Sequence, residues 1–180
     1  MANDVTMNRN ARNWTRAELA GRVLWTLVSP AFFLSPRFCW GWRRLLLRLF
    51  GAKVGKDVHV FPSVRITIPW NLTLGDQCAI GDGAILYALG PIQVDDRATI
   101  SQGAHLCAGT HDINRPERPL LKLGIIIGHD TWICADAFVG PGVTIGFNAI
   151  LGARSVAMKD VVPAAVMAGN PARLIRSLKP

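Results

Sequence analysis

The chain is poor in the residues that staple small folds. Its four cysteines, Cys39, Cys78, Cys107 and Cys134, are scattered and show no Cys-x-x-Cys spacing. Neither a disulfide framework nor a thiolate zinc site is implied, and they read as small buried residues of a reducing, cytoplasmic compartment. Nor is any apolar run long enough to cross a bilayer. The best candidate, between Arg22 and Arg37, has 14 uncharged residues broken by Pro30, whereas about 20 are needed. The start up to Arg12 is polar, so no cleavable signal peptide is expected. Acid is scarce at the front: within the first 56 residues only Asp4 and Glu18 face ten Lys or Arg. The rest of the chain is electrically neutral, so the whole net charge of +8 belongs to that segment. Any anionic partner must be sought there.

What the chain does have is a short period. Read in sixes from Ile127, the leading residues are Ile127, Ile133, Val139, Ile145 and Leu151, followed by Gly128, Cys134, Gly140, Gly146 and Gly152. Four places after each leader comes a small or β-branched residue: Thr131, Ala137, Val143, Ala149, Ser155. Period six fits neither an amphipathic helix nor a half-buried strand. It specifies a stacked coil of short flat sides, with the leader and the small residue turned inward. Gly in second place is expected to supply the unusual backbone angles of the corners.

In chain order, Thr15 to Glu18 has the form of a capping box, and Ala17 to Val28 reads as a helix ended by Pro30. Ser35 and Pro36 signal a second helix from Arg37 to Phe50, stopped at Gly51. From Val54 the sixes begin, led by Val54, Val60, Ile66 and Leu72, with Val58, Val64 and Trp70 in the inward small places. The phase slips to Leu74 and Ile80, and resets at Val94, Ile100 and Leu106. Between Thr110 and Gly124, Asn114, Pro116, Pro119 and several charges mark a loop thrown out from the coil. Past Gly169-Asn170-Pro171, the tail Ala172 to Leu178 reads as a short helix. The expected organisation is a basic, apolar helical segment over 1–52 and a coil over 53–180 with the protruding loop 110–124.

Of the four histidines, His59 and His105 fall at outward places and are expected to be solvated, while His129 lies at a turn. His105 and His111 are six apart, so they occupy neighbouring sides and diverge, and no metal site is expected. His111 stands where the coil meets the loop, the natural seat of an acid or base with a pKa near neutrality. A Cys134 or Cys107 acyl-enzyme lacks an adjacent base in the sequence.

Ile-Gly-x-x-x-Trp at 127–132, Pro-Gly-Val-Thr-Ile-Gly at 141–146, Lys159-Asp160 and Gly169-Asn170-Pro171-Ala172-Arg173 together resemble the hexapeptide acyltransferases. Trp42-Arg43-Arg44, Lys53-Val54-Gly55, Pro62 to Thr67 and Gly109-Thr110-His111-Asp112 are similar to the colanic-acid-type exopolysaccharide acetyltransferases. The resemblance covers residues 40 to 176. It implies an all-β solenoid, a left-handed parallel β-helix, with an N-terminal helical hairpin and a short C-terminal helix. It also implies transfer of acetyl from acetyl-coenzyme A to a sugar hydroxyl, with His111 as the catalytic base. Ala135 would supply a backbone N–H near the thioester, and Ala153 a contact to the pantetheine arm. Lys159, Arg173 and Arg176 would meet the coenzyme phosphates, and Trp132 joins the coenzyme contacts. Asp82, Tyr87 and Asp112 are the candidate acceptor contacts. A homotrimer with shared sites is implied, without metal or nucleic acid. Cys134, Arg154 and Met158 depart from the relatives' usual Gly, Gly and Thr. The acceptor stays open between a free or lipid-linked surface-polysaccharide sugar and a small amino sugar or antibiotic, and a non-catalytic scaffold is the other class. Residues 15 to 50 either lie on the inner face of the membrane, their arginines meeting anionic head groups, or merely cap the first coil.

Overall fold

The computed structural model describes residues 11–178; residues 1–10, including Asp4, Arg9 and most of the polar start, and residues 179–180 lie outside the described residues. Helix α1 (Arg16–Phe33) opens with the expected capping box, Thr15 and Glu18 exchanging bonds of 3.2 and 2.7 Å. It does not stop at Pro30. The Ser29 hydroxyl donates to the Thr26 carbonyl at 3.1 Å, which replaces the bond that proline cannot make. Helix α2 (Trp40–Leu49) starts three residues later than expected. Ser35, read as its start signal, instead closes α1 by donating to Phe32 O at 2.7 Å.

The coil follows as a parallel solenoid of three faces, with about 20 residues per turn at its start. Face one stacks β1 (Lys53–Val54), β4 (Leu72–Leu74), β7 (Ile92–Val94), β12 (Ile125–Ile127) and β15 (Thr144–Ile145). Face two stacks β2 (His59–Val60), β5 (Ala79–Ile80), β8 (Thr99–Ile100), β13 (Trp132–Ile133), β16 (Ile150–Leu151), β18 (Ala165–Ala168) and β19 (Arg173–Ser177). Face three stacks β3 (Arg65–Ile66), β6 (Ile85–Tyr87), β9 (His105–Cys107), β14 (Phe138–Val139) and β17 (Val156–Ala157). Leaders lie above leaders: Val60, Ile80, Ile100, Ile133 and Leu151 form one buried column. The small places Cys78, Ala84, Ala98, Ala104, Ala137 and Ala149 are buried beside them. Thr131 and Ser155 are buried too, and each hydroxyl is satisfied, by Gly146 O at 2.9 Å and Gly169 N–H at 3.0 Å.

Several expectations are corrected here. The second-place glycines do not carry the unusual angles. A Cβ on Gly128 would sit 2.6 Å from the Phe147 backbone nitrogen, and one on Gly81 2.8 Å from that of Gln102, so close approach of the next coil requires them. The left-handed angles fall two residues later, on Asp57, Gln77, Arg97, Asp130 and Asn148. Trp70 is not inside; it lies in a 3-10 turn (Pro69–Asn71), half-buried against Gly21 and Gly51, while Ile68 points inward. Of the cysteines only Cys78 is fully buried, and burial pushes its thiol up to about 12. The tail is a strand rather than a helix: β19 pairs antiparallel with β18 because that strand, the last of the coil, offers a row of unpaired backbone groups.

The hairpin's position follows from the direction of the coil's hydrogen bonds. Strand N–H groups donate one coil onward, as Gly55 to Leu74 O at 2.8 Å and Phe61 to Ile80 O at 3.0 Å. The carbonyls of Val54, Val58, Val60 and Ile66 point the other way, toward the hairpin. Side chains of the hairpin supply the donors: Arg48 reaches Val54 O at 2.7 Å, Arg44 reaches Val58 O at 3.1 Å, Arg43 reaches Val60 O at 2.6 Å and Trp25 reaches Ile66 O at 2.8 Å. Every face of the first coil is thus closed, and an unpaired buried carbonyl avoided at each. Arg43 is wholly buried and also binds Ser35, Pro36 O and Arg37 O. Arg43, Arg44 and Arg48 are thus all bonded to carbonyls of the first coil.

Candidate active site

His111 sits at the third corner, where face three turns to face one. The chain leaves β9, passes Ala108 and Gly109, and forms a small antiparallel ladder of β10 (Thr110–His111) and β11 (Leu120–Leu121). Gly109 is held against Leu89, whose side chain lies 2.8 Å from where a Cβ would be. Within the ladder His111 pairs with Leu120, and its Nδ1 lies 2.7 Å from the Arg118 carbonyl. A carbonyl only accepts, so Nδ1 carries a proton, which in the neutral ring leaves the lone pair on Nε2. That is the tautomer a general base needs. Arg118 turns its carbonyl inward through a left-handed backbone, φ 44°. Asp112, expected as an acceptor contact, shapes the loop: its carboxylate accepts from the Asn114 N–H at 3.0 Å. The foot of the ladder is anchored by Lys122, whose ammonium lies 3.6 Å from the Trp14 ring centroid and donates to Asn13 O at 2.8 Å. Nothing in the sequence pattern pointed to Arg118 or to this anchor, because one acts through its backbone and the other joins residues 109 positions apart.

Tyr87 lies next to this corner, on the outer side of face three; its carbonyl accepts from the Ala108 N–H at 3.0 Å. His105, on the same face, is not solvated. It is half-buried, edge-on to Tyr87 and Phe138, and its Nε2 is buried without a partner among the described residues. Burial lowers its pKa from the ordinary histidine value. His59 is exposed and stacked on Trp40. His129 marks the first corner, a different edge of the coil, where Asp130 joins it at 2.7 Å to Arg97 of the coil before.

The expected coenzyme contacts gather elsewhere. Ala135 and Ala153 are stacked one coil apart at the second corner, between faces two and three, where the Arg154 N–H donates to Ala135 O at 2.9 Å. Among the described residues neither Ala135 nor Ala153 donates its N–H to an acceptor. Arg154 takes a left-handed backbone angle, φ 58°, and faces Asp136 at 3.7 Å. Cys134 is half-buried, and burial raises its thiol pKa, which works against a thiolate nucleophile. Trp132 projects from face two, half-exposed, with its indole N–H on Ser101 Oγ at 2.8 Å. Asp82, also at the second corner, accepts from Ser63 at 2.8 Å and faces Arg37 at 3.6 Å, beside a hollow of about 390 Å³.

At the far end of the coil a groove of about 400 Å³ is lined by Met158, Lys159, Met167, Ala172 and Arg173. It brings two of the three expected phosphate contacts together. Arg176 lies outside it on β19, but a bulge between Val166 and Met167 puts Arg173 and Arg176, opposite Ala168 and Val166, on one side of the ladder. Lys159 leaves the same corner as His111, two coils further along, about 10 Å at the usual spacing between strands. Ala135 and Ala153 stand a whole face away from His111, roughly 15–20 Å along six residues. One chain alone does not bring the base and these backbone donors to one point.

No protein-family model matches the chain. It is 45% identical over 155 residues to the putative colanic acid biosynthesis acetyltransferase WcaF of Escherichia coli K12, covering 86% of this chain and 85% of that protein. Among solved structures it resembles a galactoside acetyltransferase in complex with coenzyme A, with a TM-score of 0.84 and 26% identity over 92% of this chain and 84% of that one. A maltose O-acetyltransferase from Clostridium difficile 630 shares the fold over 100% of this chain and 99% of its own, with a TM-score of 0.86 and 24% identity.

Proposed function

The chain belongs to the hexapeptide-repeat acetyltransferase family, and from that premise we propose that it moves acetyl from acetyl-coenzyme A to a sugar hydroxyl in surface-polysaccharide assembly. The coil is then the family's left-handed β-helix, working in the cytoplasm where acetyl-coenzyme A is available. Residues 53–180 are the catalytic unit and the segment before them is its cap. The observation that carries the reading is the His111 imidazole held in one tautomer by the Arg118 carbonyl. A sugar hydroxyl is a poor nucleophile at neutral pH, and a positioned base contributes about 10² to 10⁴ in rate.

In the reaction Nε2 takes the hydroxyl proton as the oxygen attacks the thioester carbonyl. The Ala135 N–H donates to the oxyanion that develops. The C–S bond then breaks, and the imidazolium returns its proton to the departing coenzyme thiolate. Ala153 and Trp132 flank the pantetheine arm, while Lys159, Arg173 and Arg176 hold the phosphates. Tyr87 and Asp82 face the acceptor, and Asp112 serves it indirectly by shaping the loop. Because the base and the Ala135 donor stand on different corners of one chain, the complete site lies between subunits of a homotrimer. The test is release of coenzyme thiol from acetyl-coenzyme A by purified protein, with nucleotide-linked and lipid-linked sugars as acceptors. Acceptor-dependent release is expected; none with any sugar, with the protein folded, would leave a scaffold.

A further inference from the structure

Helix α1 is apolar on both sides. Its inner stripe packs Trp25 and Phe32 against the coil, and its outer stripe is Leu19, Val23, Leu24, Leu27 and Leu34, none of them buried. The next turn and α2 continue that surface with Phe38, Trp42, Leu45 and Leu49. The Trp42 indole donates to Ala31 O at 3.0 Å, which joins the two helices along this outer side. A helix apolar on its outer side as well as its inner one has a side that something covers, and exposed apolar residues grouped on one face mark an interaction surface.

Charge decides what covers it. From Arg12 to Lys56 there are nine Lys or Arg and one acid, Glu18. Glu18 is engaged in its capping box. Arg43, Arg44 and Arg48 are consumed by the first coil, Arg22 lies over Trp14, and Arg37 faces Asp82. That leaves Arg12 and Arg16 at the start of α1, and Lys53 and Lys56 just beyond the end of α2, all exposed. A second copy of the chain brought face to face would set these cations against one another. A surface of anionic lipid accepts both the apolar stripe and the cations. Among the described residues no helix is long and apolar enough to cross a membrane.

We propose that the outer face of the α1–α2 hairpin lies in the interface of an anionic lipid bilayer, with Leu27, Leu34 and Phe38 entering the acyl boundary and Arg12, Arg16, Lys53 and Lys56 at the head groups. The proposal is independent of acetyl transfer, which is read at another part of the coil. The full-length protein is floated with phosphatidylcholine vesicles, with or without one third phosphatidylglycerol. Binding to the anionic vesicles is expected, at least tenfold above neutral ones, and reduced about tenfold in 0.5 M salt. The L27Q/L34Q/F38Q variant alters side chains that are 72%, 84% and 78% exposed, so it keeps its fold and its activity on a soluble acceptor. It loses flotation at least tenfold, as does R12Q/R16Q/K53Q/K56Q. No flotation of the native protein, equal flotation with neutral vesicles, or variants that float as well as the native chain would each overturn the proposal. So would a native protein whose oligomer falls apart when the three apolar residues are changed, since a second copy then covers the face.

Discussion

Arg118 holds its carbonyl 2.7 Å from Nδ1 of His111, across the neck of the loop that leaves the third corner. The contact fixes ring orientation and tautomer at once. It makes the loop, more than the coil, the part that sets the imidazole.

His111→Ala is therefore expected to lower kcat by about two to four orders of magnitude while the KM for acetyl-coenzyme A stays near the native value. Steady-state kinetics with saturating acceptor measures both. Native turnover in the variant would remove His111 from the base role.

The shared groove of Lys159 and Arg173 makes a separate prediction. A charge-assisted bond to phosphate is made equally in ground and transition states, so its loss raises KM without touching kcat. Lys159→Ala with Arg173→Ala is expected to raise the KM for acetyl-coenzyme A roughly tenfold or more, and Arg176→Ala less, since it lies outside the groove. An unchanged coenzyme KM in the double variant would exclude both residues.

The leaders Ile127 to Leu151 state the coil outright, because a six-residue period has one common solution, and the aliphatic columns follow. Glycine in second place was visible but its reason was not: the spacing between coils, not φ, forbids a Cβ at Gly128. Pro30 and the tail were misread because local propensity was outvoted, by the Ser29 hydroxyl in one case and by the open edge of β18 in the other. His111 is singled out by Gly109 to Asp112 as a candidate, whereas nothing in the sequence points to the Arg118 carbonyl that holds its ring. Backbone groups leave no signature in side-chain spacing. The sequence allows a cap or a membrane contact for residues 15–50, and only the carbonyls that the first coil turns toward the hairpin show why Arg43 is where it is.

That cap gives a stability prediction. Arg43 is wholly buried and makes four hydrogen bonds. Arg43→Met keeps the stem but leaves Val60 O, Pro36 O and Arg37 O without these donors, and is expected to cost about 3 kcal/mol or more. Arg48→Gln, at an exposed site, should cost about 1 kcal/mol or less. Denaturant unfolding of the two variants would show the difference, and equal stabilities would deny Arg43 its role in closing the coil.

His105 supplies the pH dependence. Its folded pKa is depressed by burial, so the unfolded chain binds the proton more readily. The neutral form's contribution is present above the unfolded value of about 6.5 and is lost as pH falls through the lower folded value. His105→Phe keeps a ring between Tyr87 and Phe138 and removes the titration. Melting temperatures of the two proteins should differ more at pH 5.5 than at pH 8, with the variant gaining on the acid side. A constant difference across that range would mean that His105 titrates alike in both states.

The last prediction concerns how the site is completed. His111 leaves the third corner and Ala135 the second corner of the coil that follows, so a base and an oxyanion donor from one chain do not converge. A cyclic trimer with parallel coils sets one chain's third corner against its neighbour's second corner, and closes three equivalent sites with no surplus surface. A His111→Ala chain then keeps a sound second corner, and an Ala153→Trp chain, blocked at its exposed second corner, keeps a sound base. In randomly mixed trimers, about one interface in four pairs the sound base with the sound second corner. Unfolding the two variants together in equal amounts, refolding, and assaying is expected to return about a quarter of native activity, well above either variant alone. If each site were built within one chain, mixing would return only the average of two defective enzymes. Sedimentation of the same sample checks the premise: a monomer with native activity would exclude a shared site, and a trimer without recovery would place base and second corner in the same subunit.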